Sequence, residues 1–282
     1  MGNYGPKKLC TLNALIERIT DDTSIALGGV FLHRGPFAAV RELVRQQKRN
    51  LEIIKTAPAY DLDLLCRSGA VSKAQAGIIA MEGNFGLAPW SRKAIEKKEI
   101  VLIEHACPTL IAGMRAARYG LPFQPIAGVH GSELAALNNW KVIKDPYGSG
   151  KEVYVIPAIV PDVAIIHVHE MDEYGNARVF GSPFWDRVIT RAAKRLLLTA
   201  ERIVSTDELR KQPELTLIPG FMVEAAAHVP RGAWPGSMSG YYDIDYGAVE
   251  NYLIDSTDTL ETHFNDAPEA EAQTATYASN ED

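Results

Sequence analysis

The sequence predicts an α/β protein of three layers (α/β/α), in which helices cover both faces of a mostly parallel β-sheet. Strand-like and helix-like segments alternate from residue 12 to residue 119, which implies parallel strands joined by helical crossovers. The predicted strands are continuous apolar runs, as expected for strands buried on both faces. With 282 residues, 46% of them hydrophobic and 23% charged, the chain can bury a full-sized core.

The first half of the chain carries the clearest alternation. A helix is predicted where Leu12, Leu15, Ile16 and Ile19 share one face, and Thr11 is its expected N-cap. Pro36 suits the first turn of a second helix. The remaining helices are predicted at residues 61–66, 89–97 and 108–119, and the strands at residues 24–27, 51–56, 75–81 and 100–103.

The middle of the chain changes in character. Residues 140–144 and 152–156 flank a turn and are predicted to pair as antiparallel strands. Residues 163–168 form the most strand-like run, and a turn at residues 173–176 follows it. Helix and strand then alternate again up to residue 204, without an internal repeat or a flexible linker. We therefore expect one domain over residues 1–254.

The negative charge is concentrated at the C-terminus. Residues 255–282 hold eight acidic residues and no Lys or Arg, so residues 1–254 are close to neutral. This acidic segment has few large apolar groups and is predicted to be a mobile tail. A nearly neutral domain lacks the basic face that nucleic-acid binding needs, but it can still accept a phosphate-bearing small molecule.

Several classes of protein are disfavoured by composition. The sequence has no uninterrupted apolar run of about 18 residues, which a membrane-spanning helix would need. The apolar core of a signal peptide is also missing after the N-terminal lysines, so a cytoplasmic location is expected. Cys10, Cys66 and Cys107 contain no CxxC pair, which argues against disulfides and thiolate metal sites.

Two motif-like segments are weak on inspection. The stretch Gly148-Ser149-Gly150-Lys151 has Asp145 in place of the first P-loop glycine and Glu152 in place of the Ser or Thr, so a hairpin turn is favoured. His167 and His169, with Asp172 nearby, lie on one face of a strand. A metal site would need further ligands downstream, where only His228 and His263 remain, and we predict no metal.

Gly28-Gly29 is the more informative pair, because it follows a predicted buried strand directly. Glycines at the carboxyl end of a parallel strand allow a ligand to approach the backbone closely. We expect both glycines to bind substrate, with a β-carbon at Gly29 obstructing it. A tight turn without a ligand is the alternative.

These residues also carry a family resemblance. Residues 21–36, Asp-Asp-Thr-Ser-Ile-Ala-Leu-Gly-Gly-Val-Phe-Leu-His-Arg-Gly-Pro, resemble the N-terminal signature of the α subunits of family I coenzyme A transferases, the glutaconate type in particular. The resemblance continues in order through residues 120–125, 161–167 and 232–235. It implies the NagB/RpiA-like fold of that family, coenzyme A as a substrate without a tightly bound cofactor, and a heteromer with a β subunit.

In this family a glutamate of the β subunit, in a Ser-Glu-Asn-Gly type motif, attacks the acyl thioester and carries coenzyme A as an enzyme thioester. That motif is absent here. The resemblance implies that Glu82 and Asn84, in the loop after the third strand, bind substrate or coenzyme A as part of the cleft lining.

The chain departs from the family pattern at Glu104 and His105. Transferases of the 3-oxoacid type place an amide there to stabilise the thioester oxyanion. The related steroid ring-opening hydrolases of actinobacteria carry an acidic residue there that takes part in hydrolysis. Glu104 and His105 are therefore candidate catalytic residues, and a solvated strand end is the alternative for Glu104.

Three functions follow from these observations. The first is the α subunit of a transferase that moves coenzyme A between an acyl-CoA and a carboxylic acid. The second is the α subunit of an acyl-CoA hydrolase that uses Glu104. The third is an acyl-CoA-binding relative without turnover.

Overall fold

The computed structural model describes residues 5–255, which contain thirteen strands and nine α-helices. The strands are β1 (Leu9–Cys10), β2 (Ser24–Leu27), β3 (Leu51–Lys55), β4 (Val71–Ala76), β5 (Val101–Glu104), β6 (Phe123–Ile126), β7 (Lys141–Lys144), β8 (Glu152–Pro157), β9 (Val163–Met171), β10 (Ala177–Arg178), β11 (Arg195–Ile203), β12 (Thr216–Ile218) and β13 (Ala225–His228). The helices are α1 (Leu12–Glu17), α2 (Phe37–Arg45), α3 (Tyr60–Arg67), α4 (Pro89–Glu96), α5 (Cys107–Arg118), α6 (Leu134–Leu137), α7 (Asp186–Ala192), α8 (Thr206–Lys211) and α9 (Tyr246–Ile254).

Ten of the strands form one large sheet. Eight lie side by side in the order β1-β13-β11-β9-β2-β3-β4-β5, and every neighbouring pair among them is parallel. The two-residue strand β10 pairs antiparallel with β9 and β12. The chain builds the sheet outward in two directions, from β2 toward β5 and from β9 toward β13.

Helices cover both faces of this sheet. On one face α1, α2, α3, α4 and α9 pack in a cluster with Ile25, Leu27 and Ile165. On the other face α5 and α7 pack with Ala26 and Ile166. Successive residues of β2 thus point into opposite clusters, which is why its sequence is apolar throughout. The predicted three-layer α/β/α architecture is confirmed.

Local sequence accounts for many of the boundaries. Thr11 is the N-cap of α1, as predicted, and its side-chain oxygen accepts a hydrogen bond from Ala14 N at 3.2 Å.

The strand predicted at residues 75–81 lies earlier in the chain, because β4 covers Val71–Ala76. The chain turns at Gly77, whose N–H bonds Thr56 O at 3.0 Å. The apolar residues after it leave the sheet, and Met81 fills the core from a loop.

A small antiparallel sheet, in the order β6-β8-β7, packs near α5. The predicted hairpin between β7 and β8 is confirmed. Asp145 stabilises its turn, accepting hydrogen bonds from Tyr147 N at 2.9 Å and Ser149 N at 3.2 Å. The residues that resemble a P-loop therefore form an exposed turn.

Two further expectations concern membrane-spanning helices and the acidic C-terminal segment. Within residues 5–255, no helix combines the length and the apolar character that a bilayer crossing requires. Of the predicted acidic tail, only Asp255 is described, and its carboxylate pairs with Arg67 at 3.1 Å. The rest lies outside the described residues, so the domain boundary after residue 254 stays a prediction.

Candidate active site

The sheet changes its direction of growth between β2 and β9, and the crevice at such a switch point is where open parallel sheets bind ligands. Gly28 follows β2 directly at this place, and its N–H bonds Ile165 O on β9 at 3.0 Å. The glycine pair predicted from the sequence therefore lies at the position where the topology alone would place a site.

Gly29 is constrained by the chain's own backbone. Its φ is +72°, and a β-carbon there would lie 2.4 Å from the carbonyl oxygen of His33 and 2.6 Å from that of Arg34. Its N–H lies 3.3 Å from Asp186 Oδ1. The close approach that requires glycine is thus an approach of this loop to itself. A β-carbon would disturb folding before it met a substrate.

The loop after Gly29 is attached to the sheet by a buried ion pair. Arg34 pairs with Asp186 at the start of α7, and both side chains are almost completely buried. Arg34 also donates to His167 O at 3.2 Å and to Ser182 O at 3.3 Å. Three acceptors from two chain segments therefore hold the guanidinium, and with it the loop, in one position.

His33 lies on this loop and contacts two other segments. Its Nδ1 is 2.6 Å from Ser237 Oγ, and its Nε2 is 3.1 Å from Glu82 Oε1. Glu82, predicted to line the cleft, has a φ of +68°, in the left-handed region that non-glycine residues rarely adopt. Asn84 lies in the same loop with its side chain exposed.

Glu104 and His105 lie away from this group. Glu104 ends β5, three strands from β2, so about 14 Å of sheet separates the two strand ends. The side chain of Glu104 is exposed, and its backbone carbonyl accepts from Asn138 Nδ2 at 2.9 Å. The structure therefore divides the predicted site residues into two groups, at the switch point and at the sheet edge.

His105 is buried behind that edge. Its Nδ1 faces Thr109 Oγ1 and its Nε2 faces Gln75 Oε1, each at 3.2 Å. Burial lowers the pKa of His105 to about 4, so the imidazole is neutral near pH 7. Both ring nitrogens are thus directed into the protein, and Glu104 points to solvent.

A buried polar network lies beneath the switch point. The Glu201 carboxylate accepts from His167 Nε2 at 2.7 Å, from Arg231 N at 2.6 Å and from the Tyr242 hydroxyl. Burial alone would raise the pKa of Glu201, but these hydrogen bonds outweigh it and hold the pKa below its ordinary value. The network ties the segment after β13 to β9 and β11.

The second histidine of the His-x-His pair is also fully engaged. His169 Nε2 donates to Ser239 O at 3.0 Å, and its Nδ1 accepts from Phe180 N at 3.1 Å. Burial lowers the pKa of His169 to about 4. Among residues 5–255, no group of three or more His, Cys, Asp or Glu side chains could hold a metal ion.

Sequence reasoning missed four residues of this site. His33 and Arg34 were within the signature that carried the resemblance, but nothing local distinguished them. Ser237 is 204 residues away from its partner His33. The sequence does offer one indication of Glu201: a carboxylate within an otherwise apolar strand needs buried hydrogen-bond partners.

The family model described as Coenzyme A transferase matches residues 10–227. Among curated proteins, the chain is 32% identical to one subunit of the glutaconate CoA-transferase of Acidaminococcus fermentans, over 87% of this chain and 82% of that one. It is 30% identical to the cholesterol ring-cleaving hydrolase IpdA subunit of Rhodococcus jostii, over 80% and 79%. It is also 38% identical to an uncharacterized protein of Archaeoglobus fulgidus, over 88% of this chain, but it spans only 55% of that protein's length.

Solved structures show the same relationship. Glutaconate coenzyme A-transferase of A. fermentans matches with a TM-score of 0.86 and 30% identity, over 91% of this chain and 87% of the other. A variant of the decarboxylase AibA/AibB matches with a TM-score of 0.83 and 31% identity, over 92% and 97%. From its sequence and its fold, the chain belongs to the coenzyme A transferase family.

Proposed function

We propose that the chain is the α subunit of a heteromeric coenzyme A transferase, which moves coenzyme A between an acyl-CoA and a carboxylic acid. One observation carries this proposal: the chain matches, over most of its length, a polypeptide that is itself named as one subunit of such a transferase. The nucleophilic glutamate would be supplied by a β subunit, because this chain has no Ser-Glu-Asn-Gly motif.

The crevice at the switch point supports the need for a partner. Ile78 and Leu87 belong to the loop that carries Glu82, and each is more than half exposed. Tyr246 is 48% exposed and contacts Phe85 of the same loop, with 5.7 Å between ring centroids. Apolar side chains around a cleft are typical of a surface that a partner removes from water.

In this proposal Gly28, Gly29, Glu82 and Asn84 form the α side of the cleft. Gly28 and Gly29 shape its floor, and the left-handed backbone at Gly29 is the one that favours glycine. Glu82 and Asn84 lie on the loop that contacts His33, and both can also contact acyl-CoA. A location in the cytoplasm accords with this use of coenzyme A and stays a prediction.

Co-expression with a β subunit tests the assembly. The isolated chain should be inactive as a transferase, and the complex should bury well over about 2,000 Å² of surface, as obligate partners do. Incubation with acetyl-CoA, followed by borohydride reduction or hydroxylamine treatment, should trap a coenzyme A thioester on the β subunit. Full transferase activity of the isolated chain would contradict the proposal.

The hydrolase is a second candidate, which Glu104 favours. Its exposed carboxylate ends the edge strand of the sheet and can accept a proton from water as a general base. The chain is also similar to a subunit of a ring-cleaving hydrolase. In this second function water replaces the acceptor acid.

Glu104→Gln separates the two enzymes. Loss of a general base should lower kcat by at least about 100-fold with little change in KM. Glu99→Gln is the matched control, because Glu99 is also exposed and lies just before the opposite end of β5. An inactive Glu104→Gln complex without a β adduct would favour the hydrolase, and a trapped adduct with an active variant would favour the transferase.

A non-catalytic acyl-CoA-binding protein is the alternative from another class. It is expected if no β partner exists, and it would bind acyl-CoA without turnover.

A further inference from the structure

We propose that Ser237, His33 and Glu82 form a Ser–His–Glu acyl-transfer site, in which Ser237 is the nucleophile and His33 its general base. The substrate class is an acyl thioester. This activity is separate from the transferase proposal, because all three side chains belong to this one chain.

The hydrogen-bond geometry defines the three parts. His33 Nε2–H donates to Glu82 Oε1 at 3.1 Å, which leaves the lone pair of Nδ1 free to accept. The Ser237 hydroxyl lies 2.6 Å from that nitrogen and donates to it. A hydroxyl within hydrogen-bond reach of a base, with the base oriented by a carboxylate, is the arrangement that activates a serine.

The backbone holds these groups in place. Ser237 N donates to Leu32 O, and Arg34 N donates to Ser237 O, each at 2.8 Å, so the serine is paired with the loop on both sides of the histidine. Phe31, Arg34 and Glu82 all have positive φ, of +46°, +56° and +68°. Such strained residues cost about 1–3 kcal/mol each and concentrate at active sites.

Accessibility distinguishes this site from the other histidine–carboxylate pair found within residues 5–255. The His33 and Glu82 side chains are 44% and 25% exposed, at the switch-point crevice. The side chains of His167 and Glu201 are 0% and 4% exposed, so that pair cannot meet a substrate. The exposed pair is therefore the one with a possible chemical function.

The reaction balances with water as the only co-reactant. Ser237 Oγ attacks the thioester carbonyl, and His33 Nδ1 takes the hydroxyl proton. That proton passes to the sulfur as the C–S bond breaks, releasing coenzyme A and leaving an acyl ester on Ser237. Water then attacks the ester, gives a proton to His33, and releases the carboxylic acid as the proton returns to Oγ.

A fluorophosphonate probe tests the full chain directly, because it reacts much faster with an activated serine than with an ordinary hydroxyl. Mass spectrometry of the digested wild-type protein should place the adduct on Ser237. His33→Asn should slow labelling by about 100-fold, as expected for loss of a general base. Glu82→Gln should slow it less, because the histidine keeps its Nδ1. Ser239→Ala is the matched control on the same loop and should label normally.

A substrate experiment gives an independent readout. Acetyl-CoA incubated with the isolated chain should release free coenzyme A slowly and leave an acetyl group on Ser237 that hydroxylamine removes. Absence of any adduct on Ser237 of a wild-type chain that circular dichroism shows to be folded, or unchanged labelling of a folded His33→Asn variant, would overturn the proposal. Because no β subunit is present, neither result bears on the transferase assignment.

Discussion

Replacement of Gly29 by Ala measures how strongly the chain itself requires this glycine. The left-handed backbone at φ +72° costs a non-glycine residue about 1–2 kcal/mol. The new β-carbon would also lie 2.4 Å from a backbone oxygen of His33, and the forced shift adds about 1–3 kcal/mol. We expect Gly29→Ala to lower the free energy of unfolding by about 2–5 kcal/mol.

Gly69→Ala is a control that separates the two contributions. Gly69 has a φ of +68°, but nothing lies within 4 Å of its ideal β-carbon position. The control should therefore lose about 1–2 kcal/mol, from backbone conformation alone. The difference between the variants, about 1–3 kcal/mol, measures the close approach at Gly29.

Urea unfolding followed by circular dichroism is the assay. With a slope near 3 kcal/mol per molar urea, the midpoints of the two variants should differ by about 0.3–1 M. Equal midpoints would refute the close approach. A Gly29→Ala variant with wild-type stability but no turnover would instead show that the glycine serves the substrate.

Three further predictions concern buried polar groups. Asp186→Ala leaves the guanidinium of Arg34 buried without its carboxylate and should cost about 3–5 kcal/mol in urea unfolding. Burial raises the pKa of Asp63 to about 6, above its unfolded value, so the stability it contributes is complete below about pH 4 and is lost as the pH rises through 6. The free energy of unfolding, measured between pH 4 and pH 8, should therefore change by about 3 kcal/mol less in Asp63→Asn than in the wild type. Tyr242→Phe removes a buried donor to Glu201 and should cost about 1–3 kcal/mol, measured by urea unfolding.

Each of these predictions has an exposed counterpart as its control. Lys194→Ala breaks an exposed ion pair and should lower the free energy of unfolding by less than about 1 kcal/mol. If Asp186→Ala lowered it by no more than this control does, the buried pair would not be stabilising the loop. Asp207→Asn, at an 87% exposed side chain, should change the free energy of unfolding by less than about 0.5 kcal/mol. If the free energy of unfolding of Asp63→Asn depended on pH in the same way as that of the wild type, the burial argument would be contradicted. Tyr147→Phe should be neutral at its 96% exposed position, and a neutral Tyr242→Phe would contradict the network.

The limits of sequence reasoning are visible in two segments. The strand predicted at residues 163–168 is confirmed, and it extends through the polar residues His169 and Glu170 to Met171 because β11 pairs with it up to that residue. The run near residues 75–81 looks similar, but the chain leaves the sheet at Gly77. A continuous apolar segment predicts that its residues are buried, but it does not predict a strand, because loops in the core are buried as well.

The sequence by itself determined the fold class, the alternation of helices and strands, the hairpin at Asp145 and the family. These follow from interactions among residues close in the chain and from family motifs that occur in the same order along it. Only the tertiary structure decided which site residues meet. Strand order puts about 14 Å of sheet between the end of β2, which Gly28 follows, and the end of β5, which is Glu104, although both strands are parallel.

The tertiary structure also decided what Gly29 and His33 contact. The partner of His33 is 204 residues away, and the obstruction at Gly29 is a carbonyl of its own loop. The physical reason is that local propensities act over a few residues, whereas the packing of one loop on another follows from burying the whole core at once.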